Sequence, residues 1–266
     1  MKIFQPKITT ALKGYKKEQV IKDIVAGIIV AIIALPLSIA LAIASGVGPE
    51  QGLYTAIVAG FIIALMGGSR VNISGPTAAF ATIVAGIVVR YQMSGLALAT
   101  IMAGIILILM GLFKFGSLIK YIPYTITTGF TAGIAVTIAI GQVKDFLGLT
   151  YPEGTENVET VDKALNIVKN ISSWNYMALL IGLLALAIQI VWPKINKKIP
   201  GSLIAVIVGV LIVKLAGLKV NTIGDQYTIS RSLPKFAAPA FSFALVKELL
   251  PSAFTIAVLA GIESLL

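Results

Sequence analysis

An all-α membrane protein of several spans is the fold class this sequence predicts, on three observations. Its 266 residues are 58% apolar and only 12% charged, with a mean hydropathy of +0.97, a balance outside the range of soluble domains. Apolar runs long enough to cross about 30 Å of hydrocarbon recur along it, separated by polar turns or loops. Basic residues sit between those runs in the alternating way that leaves positive loops inside. The net charge of +10 and pI near 9.7 do not argue for nucleic acid, because the Lys and Arg are scattered and form no stripe with interleaved aromatics. With no Cys and no His, disulfides, thiol catalysis, His-ligated haem and the usual zinc sites are excluded.

The N-terminal segment, residues 1–22, carries Lys2, Lys7, Lys13, Lys16, Lys17 and Lys22 against the single acid Glu18, so the positive-inside rule makes it cytoplasmic. It is too long and polar for a cleavable signal, and the apolar run after it is retained as a span. Spans one to five occupy 23–143. The first, Asp23 to about Ala44, contains Pro36, which removes a backbone hydrogen bond and is expected to kink or break the helix, freeing carbonyls beside a ligand. The second runs from about Leu53 to Met66. The fourth is about Leu96 to Phe113, and the fifth, after the amphipathic lead FGSLIKYIP, about Tyr124 to Val143 with a small, hydroxyl-rich TITTGFTAG face suited to close helix packing.

An outer loop over 144–173 holds Asp145, Glu153, Glu156, Glu159 and Asp162, a solvated face with room for a surface helix at Val161 to Ile171. Spans six and seven fill 174–218, joined by the basic turn PKINKK. A second outer loop, 219–247, has Pro, aromatics and some expected β structure around Val220 to Ile229. Span eight begins near Glu248, and 248–266 reads as its start, cut short in an apolar segment as in a fragment of a longer protein.

The third apolar stretch, RVNISGPTAAFATIVAGIVVRY over residues 70–91, does not read as one helix. Val71 and Ile73 alternate with Asn72 and Ser74, which suits a short strand from Arg70 to Gly75. Ser74, Gly75 and Pro76 then read as the start of a helix over Thr77 to Val89: a cap, a permissive residue and a Pro whose missing N–H costs nothing in the first turn. Six extended residues reach roughly 20 Å and fifteen helical ones roughly 22 Å, so the break falls deep inside the membrane. A helix N-terminus there carries about half a positive charge and free N–H groups in a low dielectric. One reading is an anion site made by the N–H groups of Thr77, Ala78 and Ala79 with the hydroxyls of Ser74 and Thr77; the other is a Gly-Pro turn between ordinary segments. Pattern alone leaves both open.

Glu263 is the carboxyl that must lie well inside the membrane, where a charge costs about 2.5–3.5 kcal/mol on insertion scales. It either faces a cavity, as a proton or ion-coupling group, or bonds a neighbouring helix structurally. Laying Glu248 on Asp23 matches acid to acid and sets Gly261 against Pro36 and Glu263 against Ser38, a faint internal repeat. A second copy starting after seven spans would be inverted.

Three stretches in order, LPLSIALAIASGVGPEQGLYTA at 35–56, GGSRVNISGPTAAF at 67–80 and AVLAGIESLL at 257–266, resemble the SulP family of anion transporters, the sulfate permease group, across essentially the whole chain. The resemblance implies a seven-plus-seven inverted-repeat fold, truncated here in span eight, with a core domain (spans one to four and eight) and a gate domain (five to seven). It implies a cytoplasmic STAS domain after the last span, a homodimer, and a multi-pass inner or plasma membrane location. Family substrate sites lie between two half-helix N-termini. Ser74, Gly75, Thr77, Ala78 and Ala79 match the first, Pro36 to Ala40, with Ser38, match positions lining the same cavity, and Glu263 matches an acid associated with coupling ions. Leu37 and Leu41 stand where members often have Gln and Tyr, and Phe80 and Ala81 where a Ser is frequent, so the substrate stays open among sulfate, bicarbonate, dicarboxylates and small monovalent anions, with sulfate leading because it names the family.

The implied function is secondary active anion transport by alternating access, as symport or antiport, with no cofactor beyond a coupling proton or sodium ion. Two rivals remain: an anion channel or non-transporting membrane scaffold, and a proton-coupled nucleobase transporter, which would want more amide side chains than Ser74 to Ala81 offers. A membrane enzyme is disfavoured, since no second carboxylate or nucleophile–base pair accompanies Glu263 in the spans.

Overall fold

The computed structural model describes residues 6–69, 71–121, 123–152, 154, 155, 157, 159–196, 199–227, 238, 239 and 241–265. The expected topological roles of Lys2, Arg70, Glu153, Glu156, Lys197 and Lys198, and any β structure from 228 onward, lie outside them. A one-turn helix α1 (Ile8–Ala11) precedes α2 (Lys17–Ala44) and α3 (Pro49–Met66). An irregular stretch and a 3₁₀ turn (Ala78–Phe80) lead into α4 (Ala81–Leu112). Then follow α5 (Tyr124–Leu147), α6 (Thr160–Lys169), α7 (Tyr176–Ile195), α8 (Gly201–Leu215), the short α9 (Ile223–Gln226) and α10 (Phe243–Leu265). Among the described residues, six helices are long and apolar enough to cross a membrane, and α8 is a shorter apolar one.

Several sequence expectations change. Pro36 does not break α2, which continues through it from Lys17 to Ala44; the missing N–H costs one bond, and the flanking apolar turns keep theirs. Val71 to Thr77 forms no strand, because an extended segment becomes a strand only beside a neighbour that takes up its N–H and C=O groups. In the described part of the second loop Thr222 and Asp225 close a capping box, Asp225 Oδ2 accepting from Thr222 N–H at 2.9 Å and from its hydroxyl at 2.6 Å. That turn makes α9 where β structure was expected.

Spans three and four share the element α4, but Gln92 inside it is not helical (φ 58°, ψ −173°). A Cβ added at Gly95 would lie 2.2 Å from the Tyr91 Cβ, whereas residues four apart on a continuous helix keep their Cβ atoms about 5–6 Å apart. The chain therefore turns sharply here, and Gly95 is the residue that lets it. Before the turn, Ala81 to Tyr91 is a helix of about 16 Å; after it, Met93 to Leu112 spans about 30 Å. The first is a half-helix, the second a full crossing.

Both parts of α4 pack on α10. Leu249, Ala253 and Ala257 of α10 are wholly buried, one turn apart, and Ile87, Leu98 and Ala99 of α4 close around Leu249 with Ile83, Leu245 and Val246 beside them. Gly261 extends the same ridge against Leu107 and Met110. Such small-residue ridges replace hydrophobic burial as the source of helix association in lipid, because they let backbones approach. The pair α2–α3 uses the same device: a Cβ on Gly52 would meet the Ser38 carbonyl oxygen at 2.2 Å and the Ala42 Cβ at 2.9 Å. Gly52→Leu is expected to lower the thermal midpoint of detergent-solubilised protein by several degrees or to abolish the monodisperse species, since overpacking of this kind costs about 1–3 kcal/mol. A midpoint equal to wild type in a size-exclusion thermal series would refute the contact.

On the other side, α7 packs along α8, and α5 contacts α6, α7 and the 3₁₀ turn. Gly148 ends α5 in the left-handed region (φ 62°), and Asn175 starts α7, its Oδ1 accepting from the N–H groups of Met177 (2.9 Å) and Ala178 (3.3 Å). The outward apolar side chains, such as Ile24, Ile28, Phe61, Ile108 and Ile190, are more than half exposed, as lipid-facing positions are.

Candidate functional site

Thr77, and not the Ser74 expected from sequence, caps the turn that begins the half-helix at Ala78. Thr77 is extended (φ −129°, ψ 146°), and its hydroxyl oxygen accepts from the Ala79 N–H at 3.4 Å. The same hydroxyl donates its proton to Glu263 Oε1 at 2.6 Å. Two positions 186 residues apart in sequence thus meet at the head of the half-helix, because α10 runs along α4 and ends there. One of the three N–H groups expected to hold an anion, that of Ala79, is occupied by Thr77. The sequence reading contained both Thr77 and Glu263 but had no signal that they touch.

Beside this head lies a cavity of about 260 Å³, lined by Ala78, Ala79 and Thr82 from the half-helix and by Gly129, Phe130, Gly133, Ile134 and Thr137 from α5. Gly129, Phe130 and Gly133 of that wall belong to the TITTGFTAG stretch that sequence assigned to close packing. Gly129 and Gly133 are four residues apart, so they share one face, and among the described residues a Cβ on either would meet nothing within 4 Å. Their missing side chains leave open space, not a helix contact.

Of the expected site residues, Ala78 and Ala79 line the cavity and Thr77 and Glu263 bond immediately behind it. Ser74 is half-buried and Gly75 exposed in the approach to the turn. Pro36 and Ser38 are not part of the wall: Pro36 is exposed, and Ser38, 1% exposed, presents its carbonyl to Gly52. The α5 residues and Thr82 were missed, and the signal that could have found them is the i, i+4, i+8 spacing of Gly129, Gly133 and Thr137. The arrangement offers a small polar-headed pocket in an apolar wall, a helix N-terminus carrying partial positive charge, and a carboxyl linked to it by one hydroxyl.

The family model described as "Sulfate permease family" matches residues 20–266. YvdB of Bacillus subtilis (strain 168), named as a candidate sulfate transporter, is 42% identical over 96% of the chain and 48% of its own length. The bicarbonate transporter BicA of Picosynechococcus sp. is 32% identical over 92% of the chain and 44% of its own. Among solved structures, the transmembrane domain of a cyanobacterial bicarbonate transporter BicA superposes with a TM-score of 0.74 at 29% identity, covering 90% of this chain and 62% of that one. Murine Slc26a9, an anion transporter in the inward-facing state, gives 0.76 at 21% identity over 98% and 48%, a likeness of fold. The chain spans about half the length of the curated relatives it matches.

Proposed function

The chain belongs to the sulfate permease family, and on that premise we propose that it forms the first half of the transport unit of a secondary active anion transporter, with sulfate as the leading substrate. The observation that carries the reading is the Thr77–Glu263 hydrogen bond at the head of a half-helix whose next two residues line a cavity. The anion occupies that cavity at Ala78 and Ala79, attracted by the helix end, with Ser74 and Gly75 at its approach.

Thr77 supplies the coupling. Its hydroxyl has one proton, and with Glu263 ionised that proton is donated to the carboxylate. When Glu263 takes up a proton or a sodium ion, the Thr77 proton is free to turn toward the anion. Cation and anion then favour one another without touching, because one donor serves both. Alternating access follows if the group α2, α3, α4 and α10 moves as a core against α5, α7 and α8 as a gate, since the cavity lies between α4 and α5. In this reading the intact protein is a multi-pass inner or plasma membrane homodimer with a cytoplasmic N-terminus, a second inverted repeat and a C-terminal STAS domain.

Bicarbonate is the second reading, favoured by the BicA relatives at 29–32% identity; a dicarboxylate transporter, an anion channel and a non-transporting scaffold remain as rivals for the test. Labelled sulfate, bicarbonate, succinate and chloride are offered to proteoliposomes holding the full gene product, with and without pH and sodium gradients. One anion is expected to accumulate above its outside concentration when a gradient is present. Uptake that only equilibrates would make the protein a channel, and no uptake of any of the four would remove the transport reading.

A further inference from the structure

Helix α6 is built inside out. Its buried residues are Lys163 and Asn166, each 9% exposed, while Val161, Leu165 and Val168 are 66%, 51% and 72% exposed. A helix resting on a protein in water shows the opposite pattern. Polar-in and apolar-out suits a helix whose outer face meets lipid and whose inner face borders a wet path.

Its inner face lies on α5 and meets the cavity at its rim. Thr160, the first residue of α6, places its hydroxyl 3.5 Å from that of Thr137, which lines the cavity. Thr137 is ten residues before the end of α5 at Leu147, so the contact lies about 15 Å down from that end. At its other end α6 leads to Ser173, whose Oγ accepts from the Thr150 N–H at 3.0 Å and donates to the Thr150 carbonyl at 3.1 Å, just past the α5 terminus. Thus α6 lies along the last turns of α5 and reaches down to the cavity rim. Lys163 and Asn166 follow Thr160 at three-residue steps on the same face.

We propose that Thr160, Lys163 and Asn166 line the entrance to the cavity, and that the Lys163 ammonium holds the incoming anion there before it reaches Ala78 and Ala79. The proposal rests on the transport reading for the direction of travel, and on geometry for the site. Burial pushes the lysine below its usual value, and an ammonium taken out of bulk water is tolerated where a counter-charge can reach it. Thr160 and Asn166, three residues to either side on the face, are neutral, and although Glu159 and Asp162 are near in sequence, Lys163 makes no ion pair among the described residues, so an arriving anion can supply the counter-charge.

Two measurements test it. Lys163→Gln should raise the apparent KM for the accumulated anion about tenfold with little change in kcat, and Lys163→Arg should restore it, as expected for loss and return of one charge-assisted hydrogen bond. Separately, this chain has no cysteine, so Lys163→Cys introduces a thiol that can be followed against the parent as background. It should react with a membrane-impermeant methanethiosulfonate, and sulfate, bicarbonate or chloride should slow the reaction. An inert thiol, while one at the exposed Lys169 reacts, overturns the entrance; so does a reactive thiol that no anion protects, or an unchanged KM in folded Lys163→Gln. If the parent accumulates no anion yet anions still protect the thiol, the entrance stands and the transport reading falls.

Discussion

Glu263→Gln is expected to abolish the dependence of uptake on pH and sodium gradients while leaving anion exchange between the two sides running. The glutamine keeps the shape and an acceptor oxygen for the Thr77 hydroxyl but cannot be ionised, neutralised by a proton or paired with a cation. The charge-assisted bond at 2.6 Å becomes a neutral one. Charged hydrogen bonds are worth about 1.5–3 kcal/mol against roughly 1 for neutral ones, so the switch loses about 0.5–2 kcal/mol of bias, a factor of roughly 2 to 30 between the two states of Thr77. Accumulation driven by a gradient should therefore collapse, and counterflow of labelled against unlabelled anion should persist. Thr77→Val, which removes the shared proton, should lose coupling too and in addition weaken anion binding. If Glu263→Gln accumulates the anion as wild type does, the carboxyl only fastens α10 to the half-helix, and the coupling scheme is wrong.

How far the sequence carried the structure depended on whether a feature was local. The half-helix was legible because Ser74, Gly75 and Pro76 interrupt an apolar run, as a helix start does. Its cap was misplaced, at Ser74 where Thr77 serves, because any of several hydroxyls can cap and the choice is made by Glu263, far away in sequence. The sharp turn at Gln92 falls between the third stretch, read to Tyr91, and the fourth span, read from about Leu96, although the residue with positive φ is not a glycine; the glycine is at 95, where Tyr91 closes in. Pro36 misled in the other direction, since a proline announces a lost bond and not whether the surrounding helix survives it. The α5 wall of the cavity was ambiguous for a different reason: the spacing of Gly129, Gly133 and Thr137 puts them on one face, but small residues look alike whether they admit a neighbouring helix or leave a hole.

That ambiguity is what Gly133→Leu resolves. If Gly133 were there for packing, a side chain would meet a neighbour and the fold would suffer, as it must at Gly52, where the Ser38 carbonyl is 2.2 Å from an added Cβ. Among the described residues nothing lies within 4 Å of an added Cβ at Gly133, and the residue lines the same cavity as Ala78 and Ala79. The leucine should be accommodated, and replacing a mid-helix glycine should add about 0.5–1 kcal/mol through helix propensity. The thermal midpoint is expected to hold or rise while transport fails, because the new methyls take the anion's place at the half-helix end. Loss of even one hydrogen bond to a charged ligand is worth about 1.5–3 kcal/mol, a factor of roughly 10 to 150 in apparent affinity. Gly27→Leu is the matched control, since that glycine also has open space around it but lies exposed on α2, away from the cavity. A stable, inactive Gly133→Leu beside an active Gly27→Leu makes the cavity the route of the anion. Uptake at wild-type rates in both would move the route elsewhere, and with it the roles given to Ala78, Ala79 and the α5 face.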